Sequence, residues 1–180
     1  MPTRNSTPFP VLKTERLTLR RLAIQDDQEI FTLRTDRKIN KYLGRQIANN
    51  IEDARTFINR MNENIDNNDS FYWAITLKDQ STLVGTICLY GFSDDHRSCE
   101  IGYELLTNFQ GQGIMKEALE KVIDYAFHTM NVQRIEAYFH HDNTGSRRLL
   151  EKLSFRASNH PGNTPDPDLL HYHLEQGSLS

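Results

Sequence analysis

The sequence predicts an α/β protein built on a mixed sheet, and three observations carry that prediction. Short segments such as "RLTLRRL" and "SCEIGYELL" alternate apolar and polar residues, as a strand with one buried face does. Longer segments such as "IMKEALEKVIDYAFHTM" space their apolar residues three and four apart, which gives a helix one buried stripe. From residue 98 onward the order is strand, helix, strand, helix, strand, an α/β succession rather than separate runs of each.

Each element follows from its residues. The start has three prolines within ten residues, Pro2, Pro8 and Pro10, so 1–12 reads as an extended arm. Leu17 and Leu19 form the buried side of a first strand at 16–22. Ile24, Ile30, Phe31 and Leu33 then fall at helical intervals, and Asp26 and Asp27 suit the N-terminus of that helix. A second helix begins near Asn50, a good N-cap, with Ile51, Ala54, Phe57, Ile58 and Met61 as its stripe. The segments 71–77 and 83–90, rich in aromatic and β-branched residues and joined by "KDQST", form an antiparallel hairpin. A strand at 98–106, a helix at 114–130, a strand at 134–140, a helix at 143–153 and a strand at 169–174 complete the chain. No repeat or linker divides it, so a single domain over 1–180 is expected.

Composition removes several classes of function. Lys and Arg number 21 against 24 Asp and Glu, a net charge of −3, which is not the basic excess of a nucleic-acid binder. No apolar run approaches the roughly 18 residues that span a bilayer. The first fifteen residues have no apolar core of a secretory signal. Cys88 and Cys99 are too few for a disulfide framework, and a reducing cytoplasm is the expected setting. "HH" at 140–141 and "HYH" at 171–173 lack a cysteine or carboxylate at ligand spacing, so no metal is expected.

The segment "NFQGQGIMKEA" (108–118) is the first that points to chemistry. A glycine-containing turn that opens a helix presents free N–H groups and the positive end of a dipole, a cradle for phosphate. It lacks the third glycine of the dinucleotide fingerprint and the Lys and Ser/Thr of the P-loop. What surrounds it resembles the GNAT superfamily of N-acetyltransferases, in the RimJ/RimL-like branch that acetylates ribosomal-protein N-termini. The likeness runs through "KTERLTLRRLAIQDDQEIFTL", "FYWAITLKDQSTLVGTICLY", "CEIGYELLTNFQGQGIMKEAL" and "RIEAYFHHDNTGSRRLLEKLSF", about residues 13 to 175.

The resemblance implies a mostly antiparallel mixed sheet of six to seven strands with about four helices. Strands 98–106 and 134–140 would splay apart around the cofactor. It implies acetyl-CoA as cosubstrate, its pyrophosphate on the loop Gln110, Gly111, Gln112, Gly113, Ile114 and Met115, where Met115 replaces the usual small residue. Its pantetheine arm would lie along Tyr103, Leu105 and Leu106, bonded by Asn143, with Ser146 near the sulfur. Glu100 is the implied general base, with Glu104 and Glu136 as rivals. Alternation puts Glu100, Gly102 and Glu104 on one face of their strand, which also reads as a solvated face. The family's tyrosine acid is absent, because its position is Leu150, so Ser146 or water would protonate the thiolate. Ser154 stands where the family has glycine. The acceptor would be a primary amine, either a protein N-terminus such as a ribosomal protein's or a small molecule. Its pocket is expected from 36–50 and 158–168, and the chain would be a monomer or homodimer. A non-catalytic CoA-binding or regulatory module is the alternative.

Overall fold

A computed structural model of the chain describes residues 6–159 and 166–178. They form an eight-stranded sheet in the order β1-β2-β3-β4-β5-β6-β8-β7. The strands are β1 (Leu12–Lys13), β2 (Leu17–Arg21), β3 (Phe71–Leu77), β4 (Leu83–Tyr90), β5 (Ser98–Leu105), β6 (Arg134–His140), β7 (Arg156–Ala157) and β8 (Leu169–Glu175). The helices are α1 (Asp27–Thr35), α2 (Arg37–Asn40), α3 (Ile51–Asp66), α4 (Ile114–His128) and α5 (Thr144–Lys152). β1, β7 and α2 exceed the expected count. Two residues show no alternation and four no helical stripe, so the sequence carries no signal for them.

The sheet has helices on both faces because its strands are apolar on both. On one face Leu19, Trp73, Ile75, Ile87 and Ile101 pack with Ala118, Leu119 and Val122 of α4 and Leu150 of α5. On the other, Ala74 and Leu83 meet Ile30 and Leu33 of α1 and Ala54 and Ile58 of α3. Asn50 caps α3 as its type predicts, its side chain accepting from the Asp53 amide at 3.0 Å. α4 ends at His128, two residues before the expected Met130, which is nonetheless 4% exposed and part of the core.

Residues 6–11 of the expected arm are docked. The Ser6 hydroxyl donates to the Ile65 carbonyl at 2.7 Å, and the Trp73 indole donates to the Pro10 carbonyl at 2.9 Å. Of the predicted pocket loop 158–168, residues 160–165 lie outside the described residues. Ser154 has φ +70°, which explains why glycine suits that position.

One irregularity places the site. β5 and β6 are the parallel pair, and they match only Ser98, Cys99 and Glu100 with Arg134, Ile135 and Glu136. Beyond Glu100, β5 runs to Leu105 paired with β4 alone, and β6 runs to His140 paired with β8 alone. The sheet forks there. One edge of β5 from Ile101 to Leu105 is left without a strand partner, and its backbone groups are available to a ligand.

Candidate active site at the fork

The glycine loop stands at the mouth of the fork. β5 ends at Leu105, and the chain turns through Thr107–Phe109 to Gly113, the N-cap of α4, at φ +76°. A side chain in that left-handed region costs about 1–2 kcal/mol, and a Cβ on Gly113 would lie 3.3 Å from the Arg16 guanidinium. No side chain caps α4, so the N–H groups of Ile114, Met115 and Lys116 have no intrahelical acceptor. Together with the helix dipole they favour an anion. The side chains of Ile114 and Met115 are 3% and 7% exposed and belong to the core. What they offer an anion is therefore backbone. The Gln110 amide donates to the Leu105 carbonyl at 3.0 Å and the Gln112 amide to the Asn108 carbonyl at 3.1 Å, so both side chains brace the loop.

Across the fork, β5 and α5 touch through two hydroxyls. Asn143 caps α5, its side-chain oxygen accepting from the Ser146 amide at 3.1 Å, which fixes Ser146 in the first turn. The Ser146 hydroxyl is hydrogen-bonded to the Tyr103 hydroxyl. Burial pushes the Tyr103 phenol up to about 12, against the pull of the Ser146 bond, so it keeps its proton at neutral pH. Leu150 is wholly buried in the core and occupies the helix face turned away from solvent. The Leu106 amide is committed to the Val84 carbonyl at 2.9 Å.

The opposite face of the fork carries carboxylates. Glu104 is ion-paired with Arg45, which also donates to the Asn40 side chain at 2.8 Å and the Leu33 carbonyl at 3.2 Å. Glu136 meets Arg134 at 3.1 Å. Glu100, the last paired residue of β5, faces the hydroxyl of Tyr90 instead of a cation. Burial pushes its carboxyl above the ordinary range. Glu136 adds to the push, while the Tyr90 hydrogen bond and His171 work against it. Glu100 is thus the best placed of the three to gain and lose a proton. Cys88 and Cys99 are no competitors, since burial pushes both thiols up to about 12 and removes the nucleophilic thiolate.

His140, His141 and Asp142 bring their ligand-type atoms within 4.8 Å. Bonds within the turn account for this: His140 Nδ1 accepts from the Asp142 amide at 3.1 Å, and His141 meets the Asp142 carboxylate at 2.9 Å.

With this geometry, the comparison with known proteins is decisive. The family described as "Acetyltransferase (GNAT) domain" matches residues 16–156. The chain belongs to the GNAT acetyltransferases. A Bacillus subtilis N-acetyltransferase, YoaA, is 33% identical over 148 residues, covering 82% of this chain and 84% of that protein. The Escherichia coli [ribosomal protein uS5]-alanine N-acetyltransferase is 32% identical over 90 residues, 48% of this chain and 45% of that one. RimL, the ribosomal L7/L12 α-N-protein acetyltransferase solved with coenzyme A, superposes with a TM-score of 0.79 over 92% of this chain and 98% of its own, at 18% identity. That likeness is one of fold.

The contacts of three residues of this GNAT chain had no signal in the sequence, where His171 is weighed only as a metal ligand. Arg16 donates to the Gln112 carbonyl at 3.0 Å and pairs with Glu117 at 2.8 Å, clamping the glycine loop to the start of β2. Arg45, in the loop before α3, neutralises Glu104. His171 lies beside Glu136. All three depend on contacts far apart in sequence, and no local spacing announces them.

Proposed function

We propose that this chain transfers the acetyl group of acetyl-CoA to a primary amine by direct attack, without a covalent enzyme intermediate. The observation that carries the reading is the fork itself. It has Glu100 at its apex on one face, the Tyr103–Ser146 hydroxyls on the other and an uncapped helix N-terminus at its mouth. The coenzyme A held by RimL supports acetyl-CoA as the donor. The pyrophosphate would rest on the amides of Gly111 to Met115, and the pantetheine arm along the open edge of β5 at Tyr103 and Leu105, near Asn143.

The chemistry follows from the two faces. An ammonium acceptor must lose a proton before it attacks, and burial, by raising the Glu100 carboxyl above the ordinary range, makes it a better base than a solvated carboxylate. Amides on the unpaired edge of β5 would polarise the thioester carbonyl as negative charge develops. The departing thiolate takes a proton from the Ser146 hydroxyl, which takes one from Tyr103 through their hydrogen bond, and the second proton that the nitrogen sheds as the tetrahedral adduct collapses restores the pair. Positioning supplies much of the remaining acceleration.

For the acceptor we favour a protein N-terminus, because the Escherichia coli relative acetylates the alanine of a ribosomal protein. The test is thiol release from acetyl-CoA over a panel of alanine- and serine-initiated peptides, spermidine and phenylethylamine. Turnover on a peptide and not on the small amines is the expected result. Tight acetyl-CoA binding with no turnover on any amine would overturn the reading in favour of a CoA-binding module.

A further inference from the structure

His171 is the buried polar group that the fold leaves without an explanation. It lies on β8 opposite Tyr138 of β6, and the two rings stack at 4.5 Å and 5°. Its side chain is 10% exposed, and neither ring nitrogen has a hydrogen-bond partner among the described residues. Leaving a buried polar group unpaired costs about 1–3 kcal/mol. A leucine or phenylalanine would fill the same space without that penalty.

Glu136 Oε1 lies 3.5 Å from His171 Nε2. That is too long for a good hydrogen bond and close enough for an ion pair once the ring is charged. Glu136 is in turn the register partner of Glu100. On β8 the register partner of Glu136 is His173, and His171, two residues away along that strand, lies diagonally from Glu136 at 3.5 Å. Glu100, Glu136 and His171 therefore form an oblique row on one face, starting at the apex of the fork. Resting on the acetyl-transfer reading above, a need for such a row exists. An ammonium that becomes an amide sheds two protons. One ends on the coenzyme's sulfur, and the other must leave through Glu100, which is half-buried and has to be reset every turnover.

We propose that His171 is the proton-relay residue of the acceptor site, accepting on its neutral imidazole the proton that Glu100 removes from the ammonium. The O–H bond on Glu100 breaks as one forms on the Glu136 carboxylate beside it. That bond breaks in turn as an N–H bond forms on the ring, and the ring then releases the proton to solvent. All three groups return to their starting charge. Glu136 steadies the transient imidazolium. The charged groups tied to the ring, Glu136 and Glu100, both favour a charge there, while Arg134, Arg156 and Glu175 lie further along the strands, around His173. Tyr90 and Tyr138 are held neutral, since burial raises both phenols. His173, on the same face of β8, already has its Nδ1 hydrogen-bonded to the Ser158 hydroxyl at 2.7 Å, and burial and Arg134 disfavour a charge on it, which leaves His171 as the acceptor.

The experiment is thiol release from acetyl-CoA with an alanine-initiated peptide, or spermidine if the peptide is not acetylated, measured across pH. Wild type, E100Q, H171F and H171N are compared, with melting curves to check folding. H171F keeps an aromatic ring on Tyr138, and H171N keeps polarity without the ring. The relay predicts a fall in kcat of about tenfold in both His variants, short of the roughly 10²–10⁴ of a group touching the amine. KM for acetyl-CoA stays unchanged, one of two ionisations on the rising limb of the pH profile disappears, and added imidazole restores part of the H171N rate. A wild-type rate and profile in H171F, with E100Q still slow, overturns the relay and leaves Glu100 as the base. A wild-type rate in E100Q overturns the base and the relay with it. If H171F does not fold, H171N carries the same test. A single ionisation in the wild-type limb overturns the relay without any variant.

Discussion

The two faces of the fork solve opposite problems with different materials. On the α4–α5 face, the side chains near the reacting atoms are neutral hydroxyls, Tyr103 and Ser146, bonded to each other, and an uncapped helix N-terminus waits nearby. On the α1–α3 face the groups are ionisable. Glu104 and Glu136 are matched by Arg45 and Arg134, and Glu100 has only a phenol. A hydroxyl pair can hold a proton ready for a thiolate, but it cannot take one from an ammonium at neutral pH. A buried carboxylate can do the second and not the first. The difference teaches that proton removal and proton supply are kept on separate sides of one strand, as the alternation of Glu100 and Tyr103 along β5 requires.

The most severe way to break this division is at the apex. E100Q should lower kcat by roughly 10²- to 10⁴-fold with KM for acetyl-CoA nearly unchanged, and a loss in cofactor affinity of the same size would show that the faces are not separate. Y103F and S146A remove one proton donor each and should slow turnover by about tenfold to a hundredfold. Because the two hydroxyls act as a unit, the double variant should cost little more than the worse single one. G113A acts on the cofactor face alone. The left-handed φ of Gly113 makes a side chain unfavourable by about 1–2 kcal/mol, and acetyl-CoA affinity measured by calorimetry should fall about tenfold. L150Y asks whether the missing tyrosine can be restored. Leu150 is wholly buried, so the larger ring should destabilise the fold by about 1–3 kcal/mol in denaturant titrations and give no gain in rate.

How much of this was legible in the sequence varied with the range of the contact involved. Strand alternation and helical stripes located β2 to β6, β8, α1 and α3 to α5, and Asn50 declared itself as a cap because a cap is a local device. The glycine loop could be read for the same reason. The alternation along β5 by itself also put Glu100 and Glu104 on one face. It could not separate them, because Arg45, fifty-nine residues away from Glu104, takes one and not the other. Tyr103 carried an expected role beside the cofactor, but its contact with Ser146 spans forty-three residues and has no periodicity to announce it. The clamp of Arg16 on the glycine loop and the place of His171 beside Glu136 were invisible for the same physical reason.

The smallest expected effect is also the one most specific to Glu100. Its carboxyl is raised in the folded chain, first by burial and then by Glu136. Between the ordinary carboxylate value and that raised one, the folded state binds more protons than the unfolded state. Stability must therefore fall as pH rises through the window, and the loss persists above it. E100Q carries no charge to bury, so it should melt slightly above the wild type at neutral pH. The gap should close as the pH drops below the ordinary carboxylate range, where both side chains are neutral. Calorimetric scans at the two pH values decide it. A variant slower in turnover yet more stable at neutral pH would mark Glu100 as a charge held against its own comfort. Equal melting at both pH values would mean that the apex is wetter than its burial implies, and the division between the two faces would lose its base.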